Sequence, residues 1–337
     1  MSANIQKIFV AGGGAWGTTV ANLLAEKGLK VSIWAREGWL TRHIAEHNDN
    51  PKYLPGVSLH QNLHAAHSIS EGMHNAGLII YAIPAQSLRG VVQQTQPYLQ
   101  EEVILLNLAK GIEEGTGLRC SEIVQQETNG VHPIAALSGP NIAYEIARKI
   151  PSKTVVSCNN YRYLGILRDL FSTPHLKVYE NPDLVGTELG GALKNIVAIM
   201  GGIGDGLGFG VNTKAAIITR GLREMIKVGT MMGANPDTFF GLSGIGDLMA
   251  TCLSPHSRNR TLGENLGRGM ALEEAEAALN GRVAEGIRTA KALYEVKGEL
   301  NLEMPIVDQL YRVLYTGLAP SEGYLAIWNP GEAHELN

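Results

Sequence analysis

One string restricts this chain more than any other. Gly12-x-Gly14-x-x-Gly17 stands directly after the apolar run Ile5–Val10 and ahead of the amphipathic stretch Thr18–Glu26. In a strand–turn–helix setting each glycine has a task. The first permits the tight turn, the second lets the main chain approach a pyrophosphate, and the third lets the helix pack on the strand. Helix N–H groups then face the anion with a favourable dipole. A purely structural glycine turn is the alternative, and only the strand–turn–helix setting raises the string above it.

The segments that follow fit the same architecture. Apolar runs at Val31–Ala35, Leu78–Ile83, Val103–Leu108, Ile134–Leu137, Thr154–Ser157 and Leu176–Tyr179 read as strands. They alternate with helix-like stretches such as Ser87–Tyr98. Near-continuous apolar strands between helices imply a mostly parallel sheet covered on both faces. After Asn181-Pro182 the strand signals cease. Leu189, Leu193, Ile196, Met200 and Ile203 fall on one helical face, as a 3.6-residue period requires. Further helical patterns follow at Thr213–Met232, Leu272–Leu279, Gly286–Tyr294 and Ile306–Tyr315. The expected fold class is α/β: a Rossmann-type domain over residues 1–181, then an all-helical substrate and catalytic domain over 182–337, with 331–337 as a frayed tail.

Composition closes off other classes. Glycine makes up 40 of the 337 residues, about 12% against a usual ~7%. It has no triplet period and forms no Gly/Ser tract, so its excess belongs where backbone approaches ligand or backbone. With 28 Lys+Arg against 32 Asp+Glu, the chain lacks the basic surface a nucleic-acid partner needs. Cys120, Cys158 and Cys252 are an odd, scattered set, which argues for a reducing compartment and against a disulfide frame or thiolate zinc site. No secretory pattern opens the chain. The apolar stretch 189–211 is interrupted by Lys194 and Asp205, so stable membrane insertion is not expected. A cytoplasmic protein is. His43-Ile-Ala-Glu46-His47 matches a metallopeptidase string, but nothing marks a third ligand; no metal is expected.

Several residues carry candidate chemistry. After the second strand, Arg36 suits a 2′-phosphate or an adenine ring, whereas Glu37 suits a ribose hydroxyl. NADP(H) is the first reading, and NAD(H) stays open. Loops after later strands hold Pro84, Lys110 before Gly111, and Gly139-Pro140-Asn141, at the carboxyl ends where open α/β sheets bind ligands. Lys194 lies on an apolar helix whose same-face neighbours are Gly190, Gly191, Ala198 and Gly201. Two readings fit it: a lysine in a dry slot with a lowered pKa, suited to general-base work, or one snorkelling over a tight helix crossing. Gly241 to Asp247 is a glycine-rich approach to an acid, with Thr251 one turn on; Ser257-Arg258-Asn259-Arg260 gathers donors for a phosphate dianion. A helix cap and a solvated basic turn are their plain alternatives.

Together these strings resemble the NAD(P)-dependent glycerol-3-phosphate dehydrogenases of bacteria. The resemblance rests on Gly12-Gly-Gly-Ala-Trp16-Gly-Thr, Ala109-Lys110-Gly111, Leu137-Ser-Gly139-Pro140, Glu188-Leu-Gly-Gly-Ala-Leu-Lys194-Asn195, Gly244-Ile-Gly-Asp247-Leu and Ser257-Arg258-Asn259, in the family's order. It implies a homodimer that interconverts dihydroxyacetone phosphate and sn-glycerol 3-phosphate, supplying phospholipid synthesis, with NADP(H) and/or NAD(H). It assigns Lys194 as proton donor and acceptor at the C2 oxygen, and Lys110 to substrate and cofactor. Gly139 and Asn141 lie near the substrate, Asp247 and Thr251 orient the reacting hydroxyl and Lys194, and Asn195 joins the catalytic set. Ser257, Arg258 and Asn259 hold the phosphate. The cofactor takes Gly12, Gly14, Ala15, Trp16, Gly17, Arg36, Pro84, Lys110, Ala143, Arg258, Val283 and Glu285. Two departures stand out: Ala15 fills a position often polar in the family, and Asn141 a position that varies.

The rivals are a β-hydroxyacid or 6-phosphogluconate type dehydrogenase and a dinucleotide-sensing regulator. The first would act on a carboxylate, and the order of the strings speaks against it. The second would want a DNA-binding helix with basic flanks, which the chain does not offer. Sixteen glycines cluster in the first turn, between residues 186 and 210, and before Asp247, and so outline an expected active-site cleft between two domains.

Overall fold

A computed structural model describes residues 5–300 and 302–328; the expected tail at 331–337 lies outside them. The chain divides into two compact units, residues 1–110 with 118–188, and residues 111–117 with 189–337. The break thus follows residue 188, inside a helix, and a seven-residue segment after Lys110 joins the second unit.

The first unit is built on ten strands: β1 Lys7–Ala11, β2 Lys30–Trp34, β3 Asp49–Asn50, β4 Leu54–Ser58, β5 Leu63–Ala65, β6 Leu78–Tyr81, β7 Ile104–Asn107, β8 Ile134–Ser138, β9 Ser152–Cys158 and β10 Leu176–Glu180. Eight form one sheet in the order β10-β9-β8-β7-β6-β1-β2-β5, and β3 with β4 makes a separate antiparallel hairpin. Every pairing in the large sheet is parallel except β8 with β9. Alternate strand residues face opposite sides. Ile8, Val10, Ile80 and Leu106 belong to one core with Val20 and Leu24, while Phe9, Ala11, Ile79 and Leu105 belong to another with Leu88 and Ile123. Both faces are therefore covered, as a parallel sheet requires. Strand order reverses at β1, flanked by β2 and β6. That is where ligands bind in such sheets.

The second unit is helical. Its first long helix, Leu184–Gly206, is buried without interruption from residue 186 to 204, as a mostly apolar helix is in a protein interior. Its few polar groups there, Thr187, Glu188, Lys194 and Asn195, are buried with it. It crosses helix Arg258–Gly267 with backbone against backbone. A Cβ at Gly202 would stand 2.1 Å from the Arg260 carbonyl oxygen, and one at Gly263 only 1.9 Å from that of Ile199. Asp205 fastens the crossing by accepting from Arg260 Nε at 2.7 Å and pairing with Lys214 at 2.6 Å. Segment 111–117 belongs here because Glu114 pairs with Arg288 and Lys291, and Gly117 packs on Val296.

Buried Glu224 ties two further helices. Its carboxylate accepts from the Ile306 and Val307 N–H groups at 3.0 and 3.1 Å, at the head of helix Pro305–Tyr315. Burial pushes its pKa up to about 7; the two N–H bonds and Arg220 oppose the rise, and Asp308 adds to it. A carboxyl that holds its proton more tightly folded than unfolded makes the folded state lose stability as pH rises between its unfolded value and about 7. The melting temperature is therefore expected to fall between pH 5 and pH 7, and Glu224→Gln to flatten that slope. A slope unaltered by the substitution would assign the pH dependence to other groups.

Candidate active site

The glycine turn leaves the carboxyl end of β1. Gly12 has φ +128°, a region open to glycine and strained for other residues, and its N–H donates to the Trp34 carbonyl at 2.8 Å. A Cβ on Gly12 would lie 2.3 Å from the Ala82 oxygen, and one on Gly17 2.1 Å from the Gly12 oxygen. These two glycines let the turn pack on itself and on the end of β6. Gly14 differs, since nothing lies within 4 Å of its Cβ position. It is the N-cap of helix Ala15–Glu26, and no side chain caps that end. The open glycine and uncapped N-terminus together make an anion cradle. Beside them, the buried Trp16 Nε1 has no partner among the described residues. Pro84 is the N-cap of helix Ala85–Thr95, and Ala143 opens helix Ala143–Ala147, its carbonyl accepting from Thr19 at 3.3 Å.

The acid and base after β2 have different surroundings. Arg36 is exposed, and no ion pair of it occurs among the described residues. Glu37 Oε1 accepts from Lys52 Nζ at 3.0 Å and from the Tyr53 hydroxyl at 2.9 Å. Burial alone would raise the Glu37 pKa, but these two bonds bring it below the usual value.

Two more loops of this unit present polar groups. Asn107 clamps Ala109 through both amide atoms, at 2.9 and 3.0 Å, and fixes the turn before Lys110. Lys110 Nζ donates to the Gly139 carbonyl at 2.9 Å. Gly139 has φ +139° and packs on Thr154, whose hydroxyl donates to the Ser138 carbonyl at 2.8 Å. Asn141 follows with both amide atoms buried and without a partner among the described residues. A buried amide without a partner is costly, and a polar ligand there would relieve it.

In the second unit Lys194 is 6% exposed, and its Nζ donates to Asp247 Oδ1 at 2.5 Å and to the Thr251 hydroxyl at 2.6 Å. Asp247, 2% exposed, begins helix Asp247–Leu253. The backbone before it breaks helical geometry at Gly244, and the Ser243 carbonyl takes the space a Cβ on Gly190 would fill, 2.3 Å away. The face around Lys194 is thus filled partly by protein backbone; at Gly201 nothing lies within 4 Å. The ammonium is thus buried in contact with a carboxylate rather than alone in an apolar slot.

Asn195 Oδ1 accepts from Asn259 Nδ2 at 2.9 Å, and Asn259 Oδ1 accepts from the Gly286 N–H at 3.0 Å. Both amides are thereby drawn into a chain linking three helices. Ser257 is the N-cap of helix Arg258–Gly267, its hydroxyl accepting from the Arg260 N–H at 3.2 Å. Arg258 beside it is exposed and feels both Glu285 and Arg282. Glu285 opens helix Glu285–Leu300, and Val283 is exposed just before it.

These groups divide by chemistry. The first unit offers a phosphate cradle, and the second a buried lysine–aspartate–threonine cluster with a guanidinium at a capped helix start. The comparisons decide the family. The model of the NAD-dependent glycerol-3-phosphate dehydrogenase N-terminus matches residues 7–164, and that of the C-terminus residues 183–324. The chain belongs to this family. It is 44% identical over 334 residues to the glycerol-3-phosphate dehydrogenase [NAD(P)+] of Carboxydothermus hydrogenoformans, covering 98% of each chain. Its structure is similar to that of glycerol-3-phosphate dehydrogenase from Coxiella burnetii, with TM-score 0.93, 33% identity, and 96% and 99% of the two chains covered. The yeast Saccharomyces cerevisiae enzyme gives TM-score 0.83 at 30% identity over 96% and 99%. Family membership accounts for the cradle and the cluster in one chain, and sets the carboxylate-directed and regulatory rivals aside.

Two groups escaped the reading of the sequence, and a third, Glu188, entered it only inside a longer string with no role of its own. Asn50, fully buried, donates from Nδ2 to the Gly13 carbonyl and to the Thr18 hydroxyl, both at 2.8 Å. Lys52 and Tyr53, which hold Glu37, belong to the same hairpin. Glu188, buried, receives Arg119 Nη1 and the Ser121 N–H, each at 2.8 Å. The turn signals Pro51, Pro55 and Gly56 marked a hairpin in principle. Nothing local told which glycine turn it would brace.

Proposed function

We propose that the chain interconverts dihydroxyacetone phosphate and sn-glycerol 3-phosphate with Lys194 as the acid/base. The observation that carries this is the buried Lys194–Asp247–Thr251 cluster in a family of that activity. Gly14, the uncapped helix end and the unpartnered Trp16 Nε1 suit a dinucleotide pyrophosphate and its neighbouring groups. Gly12 and Gly17 shape that turn, and Ala15 offers it main chain only. When bound, NAD(P)(H) supplies or takes up the hydride at substrate C2.

The remaining work falls to the chain's residues. In the reducing direction the Lys194 ammonium gives a proton to the C2 oxygen, and in the other direction the amine takes it back. Asp247 holds the ammonium and Thr251 fixes its approach; such positioned proton transfer accelerates reactions by about 10²–10⁴-fold. Arg258, with Ser257 and Asn259 at the same helix start, grips the phosphate, whose binding energy orients the reacting carbon. Lys110 and Asn141 meet the polar end of the substrate beside Gly139, while Asn195 acts through its bond to Asn259. Pro84, Ala143, Val283 and Glu285 complete the cofactor contacts. The family reading also makes the protein a cytoplasmic homodimer that supplies phospholipid synthesis. Three free, buried cysteines support a reducing compartment.

Arg258→Ala tests the phosphate grip. Loss of a charge-assisted bond of about 1.5–3 kcal/mol should raise KM for dihydroxyacetone phosphate by about tenfold to a hundredfold. An unchanged KM would remove Arg258 from the phosphate site.

A further inference from the structure

The acid after β2 decides, in many dinucleotide folds, which cofactor enters. A free carboxylate accepts from the ribose hydroxyls of NAD(H) and repels the 2′-phosphate of NADP(H), which a nearby arginine receives. Here the two residues stand side by side as Arg36 and Glu37. Their surroundings differ because of the β3–β4 hairpin. Lys52 and Tyr53 both bond Glu37 Oε1, at 3.0 and 2.9 Å. The Lys52 ammonium also lies 4.8 Å from the Tyr53 ring centroid, so the two side chains brace each other.

The hairpin is anchored to the glycine turn itself. Asn50 donates to the Gly13 carbonyl and to Thr18, while its Oδ1 accepts from the Tyr53 N–H at 3.0 Å. Gly13 in turn abuts the end of β2, where a Cβ would lie 2.8 Å from Ala35 Cβ. A continuous path therefore runs from the pyrophosphate turn through Asn50 to Tyr53 and Glu37. Arg36, exposed and in no ion pair among the described residues, is the neighbouring charge left for solvent or ligand.

We propose that this hairpin sets cofactor selectivity: Lys52, with Tyr53, neutralises and occupies Glu37, so that Arg36 can receive a 2′-phosphate. Lys52 is here a positioning residue, acting through Glu37. The inference rests on the dinucleotide reading above and deepens it, by assigning the discrimination between the two cofactors to a pair outside the glycine turn.

Direct titration of NADPH and NADH, followed by nucleotide fluorescence without substrate, tests it. Lys52→Met uncovers the carboxylate. It should weaken NADPH by about fivefold or more and change NADH by less than about twofold, the range an exposed pair and one uncompensated charge can supply. Glu37→Gln added to Lys52→Met removes the repulsion and should return NADPH to within about threefold of the unaltered protein. Equal weakening of both cofactors, no effect on either, or a double variant as weak for NADPH as Lys52→Met would each overturn the proposal. An unaltered protein that binds neither nucleotide would overturn the dinucleotide reading itself.

Discussion

Lys194→Ala is expected to lower kcat for dihydroxyacetone phosphate reduction by about 10²–10⁴-fold, the usual worth of a positioned proton donor. The loss should fall on kcat, because the phosphate grip at Arg258 is untouched. Alanine also leaves Asp247 buried without its cation, and such a charge costs about 3–5 kcal/mol, so a lower melting temperature accompanies the lost turnover. Lys194→Arg separates the two effects. A guanidinium can keep the contact with Asp247, yet it does not deprotonate in proteins and cannot hand over a proton. Arginine should restore much of the melting temperature and little of the turnover. A kcat within about threefold of the unaltered protein in either variant, less than about 0.7 kcal/mol, would contradict the role.

Gly263→Ala should unfold the second unit at a lower temperature, although the same change in an ordinary helix stabilises by about 1 kcal/mol. Gly263 sits in helix Arg258–Gly267 with the Ile199 carbonyl 1.9 Å from where its Cβ would be. Backbone cannot rotate aside as a side chain can, so the two helices must separate. Overpacking of this kind costs about 1–3 kcal/mol, and parting a crossing cemented by Asp205 adds to it. Gly90→Ala is the control. Gly90 lies inside helix Ala85–Thr95 with nothing within 4 Å of its Cβ position, so the substitution should be neutral or stabilising. Calorimetry on both variants decides: a melting temperature for Gly263→Ala at or above that of the unaltered protein would mean that the crossing tolerates the extra methyl.

Much of the fold was legible because its signals are local. Strands β1, β6, β7 and β8 are near-continuous apolar runs, and burial on both faces demands such runs whatever the partner, while the edge strand β10 alternates buried and exposed residues. The reversal of β9 against β8 left no mark, since an antiparallel strand buried on both faces has the same composition as a parallel one. Strands β4 and β5 were illegible for another reason. Leu54-Pro-Gly-Val-Ser and Leu63-His-Ala are short, polar or broken by proline and glycine, and tertiary context alone makes them strands. That is why Lys52 and Tyr53 went unnoticed while Glu37 beside them did not.

The glycine excess was read as close approach, which holds at part of the described positions while others serve positive-φ turns, and the approaching group could not be told from the string. At Gly12, Gly17, Gly190 and Gly202 it is the protein's own backbone, whereas Gly14 is one of fourteen described glycines with nothing within 4 Å of the Cβ position. Lys194 was visible as a lone cation on an apolar helix. Its partners Asp247 and Thr251 stand more than fifty positions away in the chain, and only the family resemblance joined them beforehand.

The most direct measurement follows loss of NADPH and NADH absorbance with purified protein, offering dihydroxyacetone phosphate in one series and 3-oxo acids in another. Turnover with dihydroxyacetone phosphate, and none with the oxo acids, is the predicted result. Turnover confined to a 3-oxo acid, or none with dihydroxyacetone phosphate under either cofactor, would contradict it.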